Sequence, residues 1–227
     1  MPINFDLKPF ATISNCFCET GTYLGSSVVK ALEAGFTKIA TIEISKKNQL
    51  EAKCRIKNHP SSSQATIEYI QGGAAAKIGQ LIEVDRITDD KYPVFWLDAH
   101  THVFNDGTRT GGNPCPLLTE IRKINEAFRG QAILLVDDLR IIGGSATPPR
   151  NIQRRLMAAA KALFNPDALL TTLKPGWGKS VDLLDVLRLA LDVPDVSFCL
   201  LDGYESKDVL CVFPNELNQL TFRQNAI

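Results

Sequence analysis

The sequence predicts an α/β fold: a mostly parallel seven-stranded sheet with helices on both faces and a C-terminal β-hairpin. Three observations carry this. Short β-branched or apolar runs alternate with longer segments of helical character, the pattern of β-α-β units and therefore of parallel strands. The last two apolar runs, Val196–Leu201 and Asp208–Phe213, are separated only by Asp202–Lys207, which suits a hairpin with Gly203 in the turn. The 227 residues are 44% hydrophobic and 22% charged, enough to bury one sizeable core, so a single domain over 1–227 is expected.

In order along the chain, Ile13–Cys18 reads as the first strand, ending at Glu19. Gly25–Ala34 follows as a helix that Gly35 stops. Lys38–Glu43 is the second strand. Ser45 is placed to cap a helix over Lys46–Asn58, which Pro60 and a serine run close. Thr66–Gln71 is the third strand, and Gly72 and Gly73 open a helix to Glu83. Val94–Asp98 is the fourth strand, followed by a glycine-rich loop over Ala99–Cys115. Pro116 starts a helix to Phe128, since proline suits a first helical turn. Gln131–Asp137 is the fifth and most apolar strand. A polar segment rich in Gly, Pro and Arg covers Leu139–Asn151, and helices are expected at Ile152–Leu163 and Val181–Leu191.

Composition narrows the function. Lys+Arg and Asp+Glu are 25 each, and a nucleic-acid partner asks for a basic surplus. Arg150, Arg154 and Arg155 read as an exposed helix face. No apolar stretch approaches the ~20 residues needed to span a bilayer. The opening MPINFDLKPF has no basic region followed by an apolar run, so no secretory signal is expected. The six cysteines are Cys16, Cys18, Cys54, Cys115, Cys199 and Cys211. None forms a C-x-x-C pair, and four sit in strand-like runs, so they are expected to be reduced and buried, as suits the cytoplasm. Neither their spacing nor the three histidines match a zinc site. The oligomeric state stays open, a homo-oligomer included.

Open α/β sheets bind ligands beyond the carboxyl ends of their strands, at the switch point. The expected strand ends carry Glu19, Glu43, Gln71–Gly73, Asp98 with His100, and Asp137–Asp138. The first constellation is Glu19-Thr20-Gly21-Thr22-Tyr23-Leu24-Gly25, between a strand and a helix. Glycines there allow positive φ and close approach of a ligand, and the helix start offers free N–H groups. A tight turn with Glu19 as a local cap is the alternative. Glu43 follows 24 positions later. An acid about 20 residues past such a loop is placed to accept hydrogen bonds from ribose hydroxyls; the alternative is an acid that favours the next helix dipole.

From about Cys16 to Phe213 these features resemble the class I S-adenosylmethionine-dependent methyltransferase superfamily, a Rossmann-like fold. The resemblance implies S-adenosylmethionine as cofactor, with Glu19, Gly21, Thr22 and Gly25 around its methionine part and Glu43 on its ribose. The family usually has glycine at the position of Tyr23. It often has an acid after the third strand that reads the adenine; here that stretch is Gln71-Gly72-Gly73-Ala74, so backbone groups of Gly72, Gly73 and Ala74, or Gln71, take its place.

The second constellation is Asp98-Ala99-His100-Thr101-His102 with Asp137-Asp138. Adjacent parallel strands lie about 4.8 Å apart, so Asp98 and Asp137 can face the same side. Converging carboxylates repel unless a cation or a proton neutralises them, and such oxygen-rich clusters suit Mg²⁺ or Ca²⁺. The arrangement is similar to that of the metal-dependent sugar and macrolide O-methyltransferases of the macrocin type. That resemblance implies Asp98, Asp137 and Asp138 as metal ligands. Metal-assisted O-methylation of a hydroxylated small molecule such as a sugar is then the expected reaction. A metal on an alcohol oxygen lowers its pKa, and Asp98 or His100 is placed to take the proton. Asp137–Asp138 can instead cap the following segment, His100 can bond a backbone carbonyl, and His102 is expected to face solvent.

Two further loops are candidates for substrate contact: Thr101–Cys115, with Arg109 facing an anionic group or solvent, and Lys174–Lys179, with Trp177 stacking or packing. Competing functions are N-methylation or cleavage of the same cofactor, a nicotinamide-dependent oxidoreductase, and a non-catalytic binding module. The lack of G-x-G-x-x-G around residues 19–25 counts against the oxidoreductase.

Overall fold

A computed structural model describes residues 3–84, 91–99, 116–139, 183–204 and 206–219. Seven strands form one sheet: β1 (Cys16–Thr20), β2 (Lys38–Glu43), β3 (Thr66–Gln71), β4 (Val94–Leu97), β5 (Ile133–Val136), β6 (Val196–Leu201) and β7 (Val209–Pro214). Their spatial order is β3-β2-β1-β4-β5-β7-β6. The pairs among β1 to β5 are parallel, while β7 runs antiparallel to both β5 and β6. The expected mostly parallel sheet with a terminal hairpin is what forms.

The alternation of strand side chains builds two cores. On β1, Cys16 and Cys18 point to one face, and Phe17 points to the other. The first face also collects Phe95, Leu97, Leu134 and Val136. It is covered by α4 (Ala74–Ile82), α5 (Leu117–Phe128) and α6 (Leu183–Ala190) through Ile78, Ile121 and Leu187. The second face collects Ile39, Trp96, Leu135 and Cys211. It is covered by α1 (Lys8–Ala11), α2 (Ser26–Ala34) and α3 (Lys46–Lys57) through Phe10, Val28 and Ile56. Central strands buried on both faces read as near-continuous apolar runs, as VFWL and ILLV do. Each fully buried Leu, Ile or Phe contributes about 2 kcal/mol of transfer free energy.

The helix signals act as expected. Ser45 caps α3 by accepting the Asn48 N–H at 3.3 Å. Gly35 ends α2 with φ 105° and donates its N–H to the carbonyls of Ala31 and Leu32. Other expectations are corrected. The first strand runs Cys16–Thr20, not Ile13–Cys18. Pro9 sits in the first turn of the short helix α1, and the N–H groups of Ile13 and Ser14 then both turn back to the Phe10 carbonyl. Glu19 therefore lies inside the strand. Pro116 precedes α5 as its cap residue rather than opening its first turn. The fifth strand starts at Ile133, because Gly130 at φ 87° and the Gln131 N–H bond to the Phe128 carbonyl form a turn before it. Gly203 does lie in the β6–β7 turn, where the left-handed residue is Lys207, at φ 60°. Asp202 organises that turn by accepting the Lys207 N–H at 2.8 Å and the Ser206 hydroxyl at 2.9 Å. Gly203 is required by space, since a Cβ there would lie 2.9 Å from Val209.

The cysteines are not uniformly buried. Cys16, Cys18 and Cys211 are buried, but Cys199 is half-buried and Cys54 is exposed on α3; all five are free thiols. Among the described residues no helix is long and apolar enough to cross a membrane. Ile152–Leu163, Lys174–Lys179 and the loop from His100 to Cys115 lie outside the described residues.

Candidate functional site

Because β1, β2, β4 and β5 are parallel, their carboxyl ends open on one edge of the sheet. The register sets Glu19 opposite Thr41 on β2 and Trp96 on β4. The Glu19 side chain is fully buried on the α2 side. One oxygen accepts the Ser27 hydroxyl from the first turn of α2, and the other accepts the Thr41 hydroxyl at 2.8 Å. Thr41 is also hydrogen-bonded to Thr22, so the network reaches the turn after β1. Burial is the main influence on the Glu19 carboxyl and pushes it up to about 7, against the opposing pull of its two hydroxyl donors.

That turn is held by Glu43. Its Oε2 accepts the Tyr23 N–H at 2.6 Å and its Oε1 accepts the Ser45 N–H at 2.8 Å, so one carboxylate ties the β1–α2 turn to the start of α3. Gly21, at φ 87°, has its backbone against β4: a Cβ there would lie 2.6 Å from the Asp98 carbonyl oxygen. Gly25, at φ 76°, packs on Ala52 and Ile56 of α3. Tyr23 adopts φ 48° and is exposed, so a tyrosine occupies a left-handed position that glycine would fill without strain. Next to this turn, the Gly72 N–H bonds the Glu43 carbonyl at 2.9 Å. Gly73 precedes α4 as its cap residue, and Ala74 begins that helix. The Gln71 amide donates to the Ile44 carbonyl at 3.3 Å.

The second cluster sits beside the first. Asp98 follows β4, and Asp137 and Asp138 follow β5. One carboxylate oxygen from each of the three lies within 4.8 Å of the others. Asp137 and Asp138 are buried, and Asp138 takes φ 58°. Asp137 Oδ1 is buried with no hydrogen-bond partner among the described residues. Burial, then the charges of Asp98 and Asp138, push the Asp137 carboxyl up to about 7. Gly203 of the β6–β7 turn closes one side, where a Cβ would come within 3.3 Å of Asp137 Oδ1.

Many solved structures share this architecture, three methyltransferases among them. The O-methyltransferase TomG of Streptomyces achromogenes, involved in tomaymycin synthesis and solved in complex with S-adenosylmethionine, is 16% identical; the match covers 91% of this chain and 76% of that one, with TM-score 0.52. The O-methyltransferase from Bacillus cereus, in complex with S-adenosylhomocysteine, is 16% identical over 91% of this chain and 77% of that one, with TM-score 0.50. The methyltransferase PaMTH1 of Podospora anserina, bound to S-adenosylhomocysteine, is 14% identical over 92% of this chain and 76% of that one, with TM-score 0.52. The chain shares the fold of these methyltransferases. No protein-family model matches the sequence, and no curated protein matches it.

On this methyltransferase fold, Glu19, Gly21, Thr22, Gly25, Glu43, Gly72, Gly73 and Ala74 gather around the carboxyl ends of β1, β2 and β3, and Asp98, Asp137 and Asp138 cluster at the ends of β4 and β5. His100, His102, Arg109 and Trp177 lie outside the described residues. Two participants escaped the sequence reading: Ser27 and Thr41, the donors to Glu19. The signal for Thr41 is a hydroxyl residue in the apolar run KIATIE, directly across from Glu19 once the strands are in register. For Ser27 it is a polar residue next to Val28 on the buried stripe of α2.

Proposed function

We propose that this chain is an S-adenosylmethionine-dependent methyltransferase that methylates a hydroxyl group of a small molecule, assisted by a divalent cation such as Mg²⁺. The observation that carries the reading is the backbone contact between Gly21 and Asp98. It joins the turn that suits the cofactor to the acid cluster that suits the cation.

The residues fit both groups. Gly21, at φ 87°, lets the turn lie directly against the Asp98 backbone, and Gly72, at φ 140°, bends the chain after β3 as no L-residue readily would. Glu43 suits the ribose because a carboxylate accepts from two hydroxyls; its bond to Tyr23 sets its orientation. Glu19, enclosed by Ser27 and Thr41, acts as a positioning residue for the turn. Asp98, Asp137 and Asp138 form a hard-oxygen donor set, and the orphaned Asp137 Oδ1 is a buried acceptor that a cation satisfies.

When bound, the cofactor supplies an electrophilic methyl group and the cation acidifies the acceptor hydroxyl. The chain supplies alignment, because methyl transfer is a direct displacement between held partners. Asp98 or His100 receives the hydroxyl proton. The chain's even charge balance supports a small-molecule acceptor over nucleic acid. The same reading keeps the cytoplasm as its location and a homo-oligomer as an open form.

Calorimetric titration of S-adenosylhomocysteine, with and without Mg²⁺, tests this. Binding that Glu43→Ala removes, and a Mg²⁺ effect that Asp137→Ala removes, are expected. The absence of binding under either condition overturns the assignment.

A further inference from the structure

Strands β6 and β7 pair antiparallel with Cys199 directly opposite Cys211. Both side chains belong to the core face covered by α1, α2 and α3, Cys211 fully buried and Cys199 half-buried at its margin. Both are free thiols, and β6 is an edge of the sheet. Directly opposed residues hold their Cβ atoms about 4.5–5.5 Å apart. A disulfide asks for Cβ atoms about 3.5–4.5 Å apart and Cα atoms within about 4.4–6.8 Å. An edge strand, paired on one side only, can close that small difference. The other close thiols, Cys16 and Cys18, are 3.8 Å apart but sit two residues apart on the central strand β1, fully buried.

We propose that Cys199 and Cys211 are an oxidative modification site: a cross-strand thiol pair that hydrogen peroxide converts to a disulfide. This is independent of the methyltransferase reading. The Cys211 thiol donates a hydrogen bond to Cys199 and holds it below the usual thiol range, while burial pushes Cys211 up. Cys199, half-buried on the edge strand, is the sulfur that peroxide reaches and so the attacking one, and the fully buried Cys211 is the resolving one.

In the first step the Cys199 sulfur attacks one peroxide oxygen. An S–O bond forms, the O–O bond breaks, and one water leaves, giving a sulfenic acid. In the second step the Cys211 sulfur attacks the Cys199 sulfur. The S–S bond forms, the S–O bond breaks, and a second water leaves with the Cys211 proton. The two thiols are oxidised by two electrons and the peroxide is reduced to two waters. The product staples β6 to β7 below the turn that carries Gly203.

Folded Cys54→Ala protein, treated with hydrogen peroxide at neutral pH, tests the site. This variant removes the one exposed thiol among the described residues. Remaining thiols are then alkylated in denaturant and the peptides weighed. Lys207 separates the two cysteines, so trypsin places them on different peptides. The expected product is those two peptides joined with loss of two hydrogens, alkylation at both sites falling together and returning after dithiothreitol. Cys199→Ser, at a half-buried edge position, is expected to abolish the link and leave Cys211 open to alkylation. Full alkylation of both cysteines after peroxide overturns the proposal. So does sulfinic acid at Cys199 with an intact thiol at Cys211.

Discussion

Glu43, at the end of β2, accepts the backbone N–H of Tyr23 at 2.6 Å across 20 positions of chain. The turn after β1 is thus held by the neighbouring strand rather than by its own side chains. Removing the carboxylate leaves the Tyr23 and Ser45 N–H groups without this acceptor. Glu43→Ala is expected to lower stability by about 3 kcal/mol in urea unfolding. Glu43→Gln keeps one acceptor oxygen and is expected to lose less.

Tyr23 carries a left-handed backbone that L-residues adopt at about 1–2 kcal/mol. Glycine removes that strain but adds chain entropy to the unfolded state, about 0.5–1 kcal/mol. Tyr23→Gly is therefore expected to leave the unfolding midpoint nearly unchanged. Tyr23→Val, branched at Cβ, is expected to lower it clearly.

Gly21 tolerates no side chain. Its φ of 87° and the Asp98 carbonyl 2.6 Å from the Cβ position act together. Gly21→Ala is expected to cost about 2–4 kcal/mol. Binding of S-adenosylhomocysteine should weaken in the same variant, read by calorimetry.

Glu19 gives stability a pH dependence. Its folded pKa is raised from 4.5 to about 7. The folded protein therefore holds a proton that the unfolded chain has already released between those values. The Glu19 contribution is fully present below pH 4.5 and is lost as pH rises to about 7. Glu19→Gln, which keeps a partner for both Ser27 and Thr41, is expected to flatten that decline in thermal melts across the window.

Asp137 responds to a cation. In the metal-free protein its carboxyl is crowded by Asp98 and Asp138, so Asp137→Asn is expected to raise stability without Mg²⁺. In the parent protein, Mg²⁺ at a hundredfold its dissociation constant should add about 2.7 kcal/mol. Asp137→Asn should abolish that gain in a melt with and without Mg²⁺.

Much of this was legible from sequence, for definable reasons. β3 and β6 occupy the expected residues, Thr66–Gln71 and Val196–Leu201, because turn-forming residues bound both runs. Strand ends named Glu43, Asp98, Asp137 and Asp138, since short polar residues after apolar runs mark where a parallel sheet opens. β1 was misplaced because Ile13 looks like strand, while Pro9 and the Phe10 carbonyl commit it to a turn. The enclosure of Glu19 was not legible. Ser27 and Thr41 are 8 and 22 positions away; the register of β1 on β2 brings in Thr41, and the turn between β1 and α2 brings in Ser27.

The position of β7 between β5 and β6 sets an order of assembly. As the chain is synthesised, β5 emerges with its outer edge open, and β6 follows but is not its neighbour. Only β7, made later than both, can pair with β5 and bring β6 into the sheet. A nascent chain halted before Val209 therefore exposes the backbone edge of the most apolar strand, a ready template for aggregation. The Asp137 side of the site is completed last, because Gly203 reaches it only when that hairpin inserts.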